Sequence, residues 1–322
     1  VGTGADPQAN IDYGSLADKT FAAMGVLRTI TTLIMNLENS PDTVAQLETH
    51  LIPLVGFTLQ QELVDLYDDV FEIIDSCTFT LKRISPAMWT LLPLIHKTFD
   101  GEGFDYFDVM LPTLDNYVSY GTEQVASNAE ILQLLMHFYQ RIMQSERSNE
   151  QERTCGCKLV EALMLNCRGR IDGLIPEVIQ HAMRYIATPG GIKSRGFLVY
   201  ALEVVLNALY YNPQLALGVL EQHGWTQGYF GRLTQSVDKF KRVHDKKLLI
   251  AALCAVIAMP SSQLPGSIQG GLAELFGTLL RTFETLPRAF DNRAHQEGKF
   301  SLEELSGSED DIDADLDDLD DF

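Results

Sequence analysis

At 322 residues, with 46% hydrophobic and 9% aromatic side chains, the chain carries enough apolar surface to build a core. Its length fits two globular domains or one extended repeat array. Lys and Arg total 24 against 44 Asp and Glu, a formal charge of −20, which disfavours DNA, RNA and anionic membrane as direct partners and favours basic proteins.

Residues 1–14 (VGTGADPQANIDYG) are rich in Gly, Asp and Asn without periodicity and read as a linker or disordered segment. From 15 to 290 the pattern is helix after helix. Met24, Leu27, Ile30, Ile34 and Leu37 step by three and four, as do Leu47, Leu51 and Leu54, then Leu63, Leu66, Val70 and Ile73. This is the one-sided apolar stripe of an amphipathic helix. It recurs at Met88–Phe99, Phe107–Val118, Ile131–Ile142, Leu159–Cys167 and Leu202–Leu209. No segment sustains a period of two, so a sheet is not expected. Pro41, Pro86, Pro176 and Pro213 sit where runs begin, and a first-turn Pro gives up only an N–H that would be unpaired anyway.

Helix starts near 42, 86, 128, 174 and 213 lie roughly 40 residues apart with a second helix between each pair, the spacing of HEAT and armadillo repeats rather than of shorter ones. One helix pair cannot bury its apolar face alone, whereas stacked pairs bury a continuous core. The expected fold is therefore all-α: a HEAT-repeat right-handed superhelix, or solenoid, of about six pairs over 15–290. A disordered, acidic, low-complexity tail over 291–322 is expected to follow.

The five cysteines, Cys77, Cys155, Cys157, Cys167 and Cys254, are odd in number and form no framework, which reads as reduced thiols in a cytosolic or nuclear protein. The longest apolar run, 248–259, is twelve residues, short of the roughly 20 needed to cross a bilayer. No secretory signal is recognised, and membrane insertion is not expected. The sequence opens at Val1 rather than Met, as a fragment or processed form would.

Catalytic motifs are missing: no phosphate-binding Gly-rich loop, no GxGxxG after a strand, no GxSxG. The seven histidines are scattered singly and read as partly exposed helix residues. Cys155-Gly156-Cys157 lacks the two-residue spacer of a zinc knuckle and reads as a helix start with one thiol turned towards Leu159 and Leu163. No cofactor is expected. The aromatics Phe104, Tyr106, Phe107, Tyr117 and Tyr120 read as inter-repeat core, with Tyr106 and Tyr120 showing a face.

The tail carries the densest signal. Glu303, Glu304, Glu309, Asp310, Asp311, Asp313, Asp315, Asp317, Asp318, Asp320 and Asp321 are eleven acids with no intervening base, which leaves −9 for the rest of the chain. Such a field recruits Lys/Arg-rich proteins quickly and with salt-sensitive affinity, so these acids are the candidate cargo-binding residues. Ile312, Leu316, Leu319 and Phe322 are spaced for one amphipathic turn-and-a-half on a partner. Ser306 and Ser308, each with an acid three residues on, suit an acid-directed kinase. Arg281, Arg288 and Arg293 form a small basic patch before the tail, either a counter-surface for it or an ordinary solvated face.

Several blocks carry a family resemblance: SPAMWTLLPL at 85–94, GFDYF at 103–107 leading to LPTLDNYV at 111–118, CRGRID at 167–172, ALYYNP at 208–213 and HDKK at 244–247. Together they resemble the C-terminal portion of the importin-β superfamily, in its importin seven/eight class of nuclear transport receptors. The resemblance covers about 15–290, and the acidic segment after it fits the class. It implies a HEAT-repeat receptor that shuttles between cytoplasm and nucleus through the nuclear pore, contacting Phe-Gly nucleoporins. Such receptors carry basic cargo such as ribosomal proteins and histones, and release it when the GTP-bound GTPase Ran binds. The family's N-terminal Ran-binding domain has no counterpart in these residues, so no Ran contact is carried over. Two other readings stay open: a HEAT scaffold of a multi-subunit complex with no transport role, and a helical enzyme with a site assembled from distant residues.

Overall fold

The computed structural model describes the backbone of residues 13–306 and the side chains of 17–295. Among the described residues every regular element is a helix and there is no strand, as the apolar spacing requires. The chain divides into two compact units, 1–138 and 139–322.

The first unit contains α1 (Tyr13–Asn36), α2 (Pro41–Gln60), α3 (Tyr67–Leu81), α4 (Pro86–Trp89), α5 (Leu92–Asp100), α6 (Phe107–Tyr120), α7 (Thr122–Ser127) and most of α8 (Ala129–Gln144). Helices α1, α3 and α6 pack side by side, and α2 packs on α3, α4 and α5 to give a second layer. Between the layers lie Ile34, Val44, Tyr67, Phe71, Ile95, Phe99, Phe107 and Tyr117, all buried. Full burial of each such side chain contributes roughly 1.5–3 kcal/mol.

The second unit contains α9 (Glu150–Asn166), α10 (Ile175–Ile186), α11 (Arg195–Tyr211), α12 (Pro213–Gln222), α13 (Thr226–Ser236), α14 (Val243–Ile257), α15 (Gly266–Gln269) and α16 (Leu272–Ser306). Here α9, α11, α14 and α16 pack in series, while α10, α12 and α13 contact one another on the other side. Each unit thus repeats the helix-pair arrangement of a HEAT fold.

The repeat is written into the hydrogen bonds. Thr113 Oγ1 donates to the Phe71 carbonyl 42 residues away, and Asn116 to Asp75 and Thr78 at separations of 41 and 38. In the second unit Tyr139 OH reaches the Val178 carbonyl over 39 residues, and Tyr185 OH the Met143 carbonyl over 42. Equivalent positions on stacked helices therefore meet one repeat apart.

Helix starts follow local chemistry. Ser85 accepts a hydrogen bond from Met88 N and Asn212 one from Leu215 N, each capping a helix that opens on Pro. Asn149 and Glu152 form a reciprocal capping box on α9.

Four expectations need correction. Prolines are not confined to helix starts: Pro53, Pro112 and Pro287 lie inside α2, α6 and α16, and packing against neighbouring helices offsets the lost backbone bond. Helix α11 is buried nearly all round rather than along one stripe, because α9, α10, α12 and α14 all pack on it. Cys155 and Cys157 lie inside α9 and both are buried; the Gly156 between them lets α9 approach Ile142, to which an added Cβ would come within 3.2 Å. Finally, α16 continues past Phe290 to Ser306. The apolar spacing does fade there, but Arg, Ala, Gln and Glu are good helix formers and carry the backbone on.

Candidate protein-interaction site

The second unit holds a cleft of about 230 Å³ lined by Glu150, Ser194, Arg195, Lys239, Lys241, Arg242 and Asp245 among others. Four cations border it, which is notable in so acidic a chain. Tyr200, Arg242 and Asp245 in its lining belong to a largely buried polar network on α11 and α14. Glu203, in the middle of α11, is 0% exposed. The Arg242 guanidinium, at the start of α14, donates from Nη2 to Glu203 Oε2 at 3.1 Å and from Nε to Asp245 Oδ1 at 2.7 Å. Its backbone N–H donates to Asp245 Oδ2 at 3.0 Å, fixing the first turn of α14. The same guanidinium lies 4.2 Å from the Tyr200 ring centroid and donates to the Tyr200 hydroxyl.

Burial, followed by the charges of Asp245 and Glu161, pushes the Glu203 carboxyl well above the usual range. Glu161 on α9 pairs with His244, and that hydrogen bond raises the His244 pKa despite the opposing effect of burial. At the cleft mouth, burial acts to raise Glu150, but the backbone N–H groups of Lys193 and Ser194, at 2.7 and 2.6 Å, prevail and hold it below its ordinary value. The cleft is thus a rigid, cation-bordered recess. Arg242 and Asp245 are bonded to each other, and Glu150 accepts from backbone N–H groups.

Apolar surface is exposed at two places. On α16, Phe276, Leu280, Phe283 and Phe290 form a stripe beside the buried Leu275, Leu279 and Thr282. On α1 the segment from Thr20 to Asn36 contains one charge, Arg28. Its Leu27 and Ile34 are buried while Phe21, Val26, Leu33 and Met35 are more than half exposed. Exposed apolar faces of this kind mark sites of protein contact.

The residues singled out in the sequence are placed unevenly. The side chains of Glu303, Glu304 and Ser306 lie outside the described residues, as do Ser308 and the acids from Glu309 to Asp321 altogether. Arg281, Arg288 and Arg293 sit exposed on α16, and Arg281 donates to Thr278. Phe104, Phe107 and Tyr117 are core, and Tyr106 and Tyr120 are half-buried as expected. Cys77 is also buried, which raises its thiol to about 12.

One grouping was missed. His96 on α5 and His137 on α8 pack with ring centroids 4.5 Å apart, and Asp100 lies within reach of both. A search for neighbouring histidines in sequence does not find them, because they are 41 positions apart. The signal available was the repeat itself: His50, His96, His137, His181 and His223 recur at separations of 41 to 46.

Among known proteins, the chain is 30% identical over 280 residues to importin-8 of Mus musculus, which covers 84% of this chain. It is 29% identical over 281 residues to importin-8 of Homo sapiens, again over 84% of the chain. A probable importin-7 homolog of Dictyostelium discoideum is 29% identical over 81% of it. The chain belongs to the importin-β superfamily. It spans about a quarter of the length of these curated relatives, at 27%, 26% and 24%. No family profile and no solved structure matches it. These relatives are named as importins, not as enzymes. No helix among the described residues is long and apolar enough to cross a membrane.

Proposed function

We propose that this chain is a cargo-binding part of a nuclear import receptor. It binds basic proteins, with ribosomal proteins and histones the expected classes, through the acidic tail and the acidic helical surface. In the full-length receptor, Phe-Gly nucleoporins carry the complex through the pore and Ran in its GTP form releases the cargo, so the protein shuttles between cytoplasm and nucleus. Ser306 and Ser308 are substrates of an acid-directed kinase that adds further negative charge beside the tail.

The observation that carries this reading is the importin-8 similarity, which runs over 84% of the chain. The net charge of −20 supports the choice of basic cargo independently. Two experiments test it, one on binding and one on modification. Immobilised Phe-Gly repeat peptides are expected to retain the full-length receptor containing this chain; retention only within one fixed multi-subunit complex points to a scaffold instead. Phosphopeptide mass spectrometry of cellular material is expected to show Ser306 or Ser308 modified, and both unmodified removes the kinase proposal.

A further inference from the structure

We propose that His96, Asp100 and His137 form a surface binding site for a divalent transition-metal ion of the Zn²⁺ class. Three observations within the first unit lead there. First, the donor set is right: two imidazoles and one carboxylate are common ligands of catalytic-type and regulatory zinc, and three protein ligands leave a coordination position for water or a partner's side chain. Second, the donors converge. His96 and Asp100 stand one helical turn apart at the C-terminal end of α5, with Nδ1 to Oδ2 at 3.9 Å, and His137 Nε2 reaches Asp100 Oδ1 at 2.8 Å. One atom from each of the three lies within 4.8 Å of the others. Ligand atoms about 2.0–2.2 Å from a tetrahedral Zn²⁺ are roughly 3.3–3.5 Å apart, so small side-chain rotations seat an ion.

Third, the rings are held and yet reachable. His96 packs edge-on against Phe138 at 5.6 Å, and His137 against Phe99 at 6.5 Å, while Phe99 and Phe138 contact each other at 4.7 Å. That aromatic floor restricts ring movement, so little conformational freedom is lost on metal binding. The side chains of His96, Asp100 and His137 are 21%, 39% and 34% exposed, which gives an ion a way in. The stacking of α5 beneath α8, one repeat apart, brings the second histidine to the first. An ion here ties adjacent repeats together and offers its open position to a ligand from outside.

The experiment uses the full 322-residue chain, stripped of metal with a chelator, and titrates Zn²⁺ in competition with a chromophoric chelator. Wild type is compared with H96Q and H137Q, whose amides keep hydrogen-bonding capacity while losing the imidazole. Because the acidic tail is present in every variant, its contribution cancels. The expected result is one equivalent of tight binding lost in both variants, with affinity at the site falling by more than the 10–100-fold typical of losing an outer-shell partner. Co²⁺ is expected to give visible bands of low-symmetry coordination in wild type that vanish in both variants. Unchanged stoichiometry and affinity in either variant overturns the site, as does a Co²⁺ spectrum that persists in H137Q. A metal-free circular dichroism spectrum matching wild type shows that each variant is folded; if H137Q is not, H96Q and D100N supply the same comparison.

Discussion

Arg242 and Glu203 meet at 3.1 Å across 39 residues of sequence, joining the first turn of α14 to the buried middle of α11. The guanidinium also holds Asp245, which is itself buried. Removing it leaves Asp245 as an uncompensated buried charge and Glu203 without its donor. Arg242→Ala is therefore expected to destabilise the second unit by about 3–5 kcal/mol, read as a lower urea midpoint. Glu203→Gln is expected to cost less, because burial disfavours the charge that it removes and the amide oxygen can still accept from Arg242. Equal losses from the two substitutions would contradict that.

The Glu161–His244 pair makes stability depend on pH. The hydrogen bond to Glu161 raises the folded pKa of His244 above its ordinary value of 6.5, so the folded protein holds that proton more tightly than the unfolded chain. The contribution is fully present below about pH 6.5 and is lost as pH rises through the folded value. Its size is small, since the His244 side chain is 49% exposed and screened by solvent. His244→Gln is expected to lower the melting temperature relative to wild type at pH 6 and to leave it nearly equal at pH 9. A difference that grows with pH contradicts the assignment.

In the first unit, Asn116 donates to Asp75 Oδ1 at 2.7 Å and Thr78 Oγ1 at 2.9 Å, coupling α6 to α3. Asn116→Ala strips these donors from a part-buried carboxylate and is expected to cost roughly 1–3 kcal/mol in chemical denaturation. Asn116→Asp is expected to cost more, because it places two carboxyl groups together.

These interactions show what was legible in the sequence and what was not. Period-3.6 spacing at Met24–Leu37 or Phe107–Val118 reports directly which helix face is buried, and Pro and Asn at helix starts report the repeat length, so the helix pairs could be read from local pattern. Partners one repeat away obey no local pattern. His96 and His137, or Arg242 and Glu203, are joined by the stacking of helices, and only a comparison at the repeat separation exposes them. Glu203 was a signal of another kind: a lone acid within the apolar run LVYALEVVLNAL of α11 needs a partner if the helix is buried. The α16 extension escaped notice because helix propensity, not apolar spacing, sustains it.

The two faces of α16 separate stability from binding. Leu279 is buried and Phe283 is exposed. Leu279→Ala is expected to cost about 2–5 kcal/mol, whereas Phe283→Ser is expected to stay within about 0.5 kcal/mol of wild type. If the stripe is an interaction face, Phe283→Ser reduces partner capture while the melting temperature holds.

On the proposed function, the acid-rich end of this chain binds basic proteins. The direct measurement is fluorescence anisotropy of a labelled Lys/Arg-rich histone or ribosomal-protein segment, titrated with the chain with and without residues 301–322, at low and physiological salt. The predicted result is binding that weakens at least tenfold on removal of the tail and weakens further as salt screens the field. Undiminished, salt-insensitive binding after the tail is removed would contradict it.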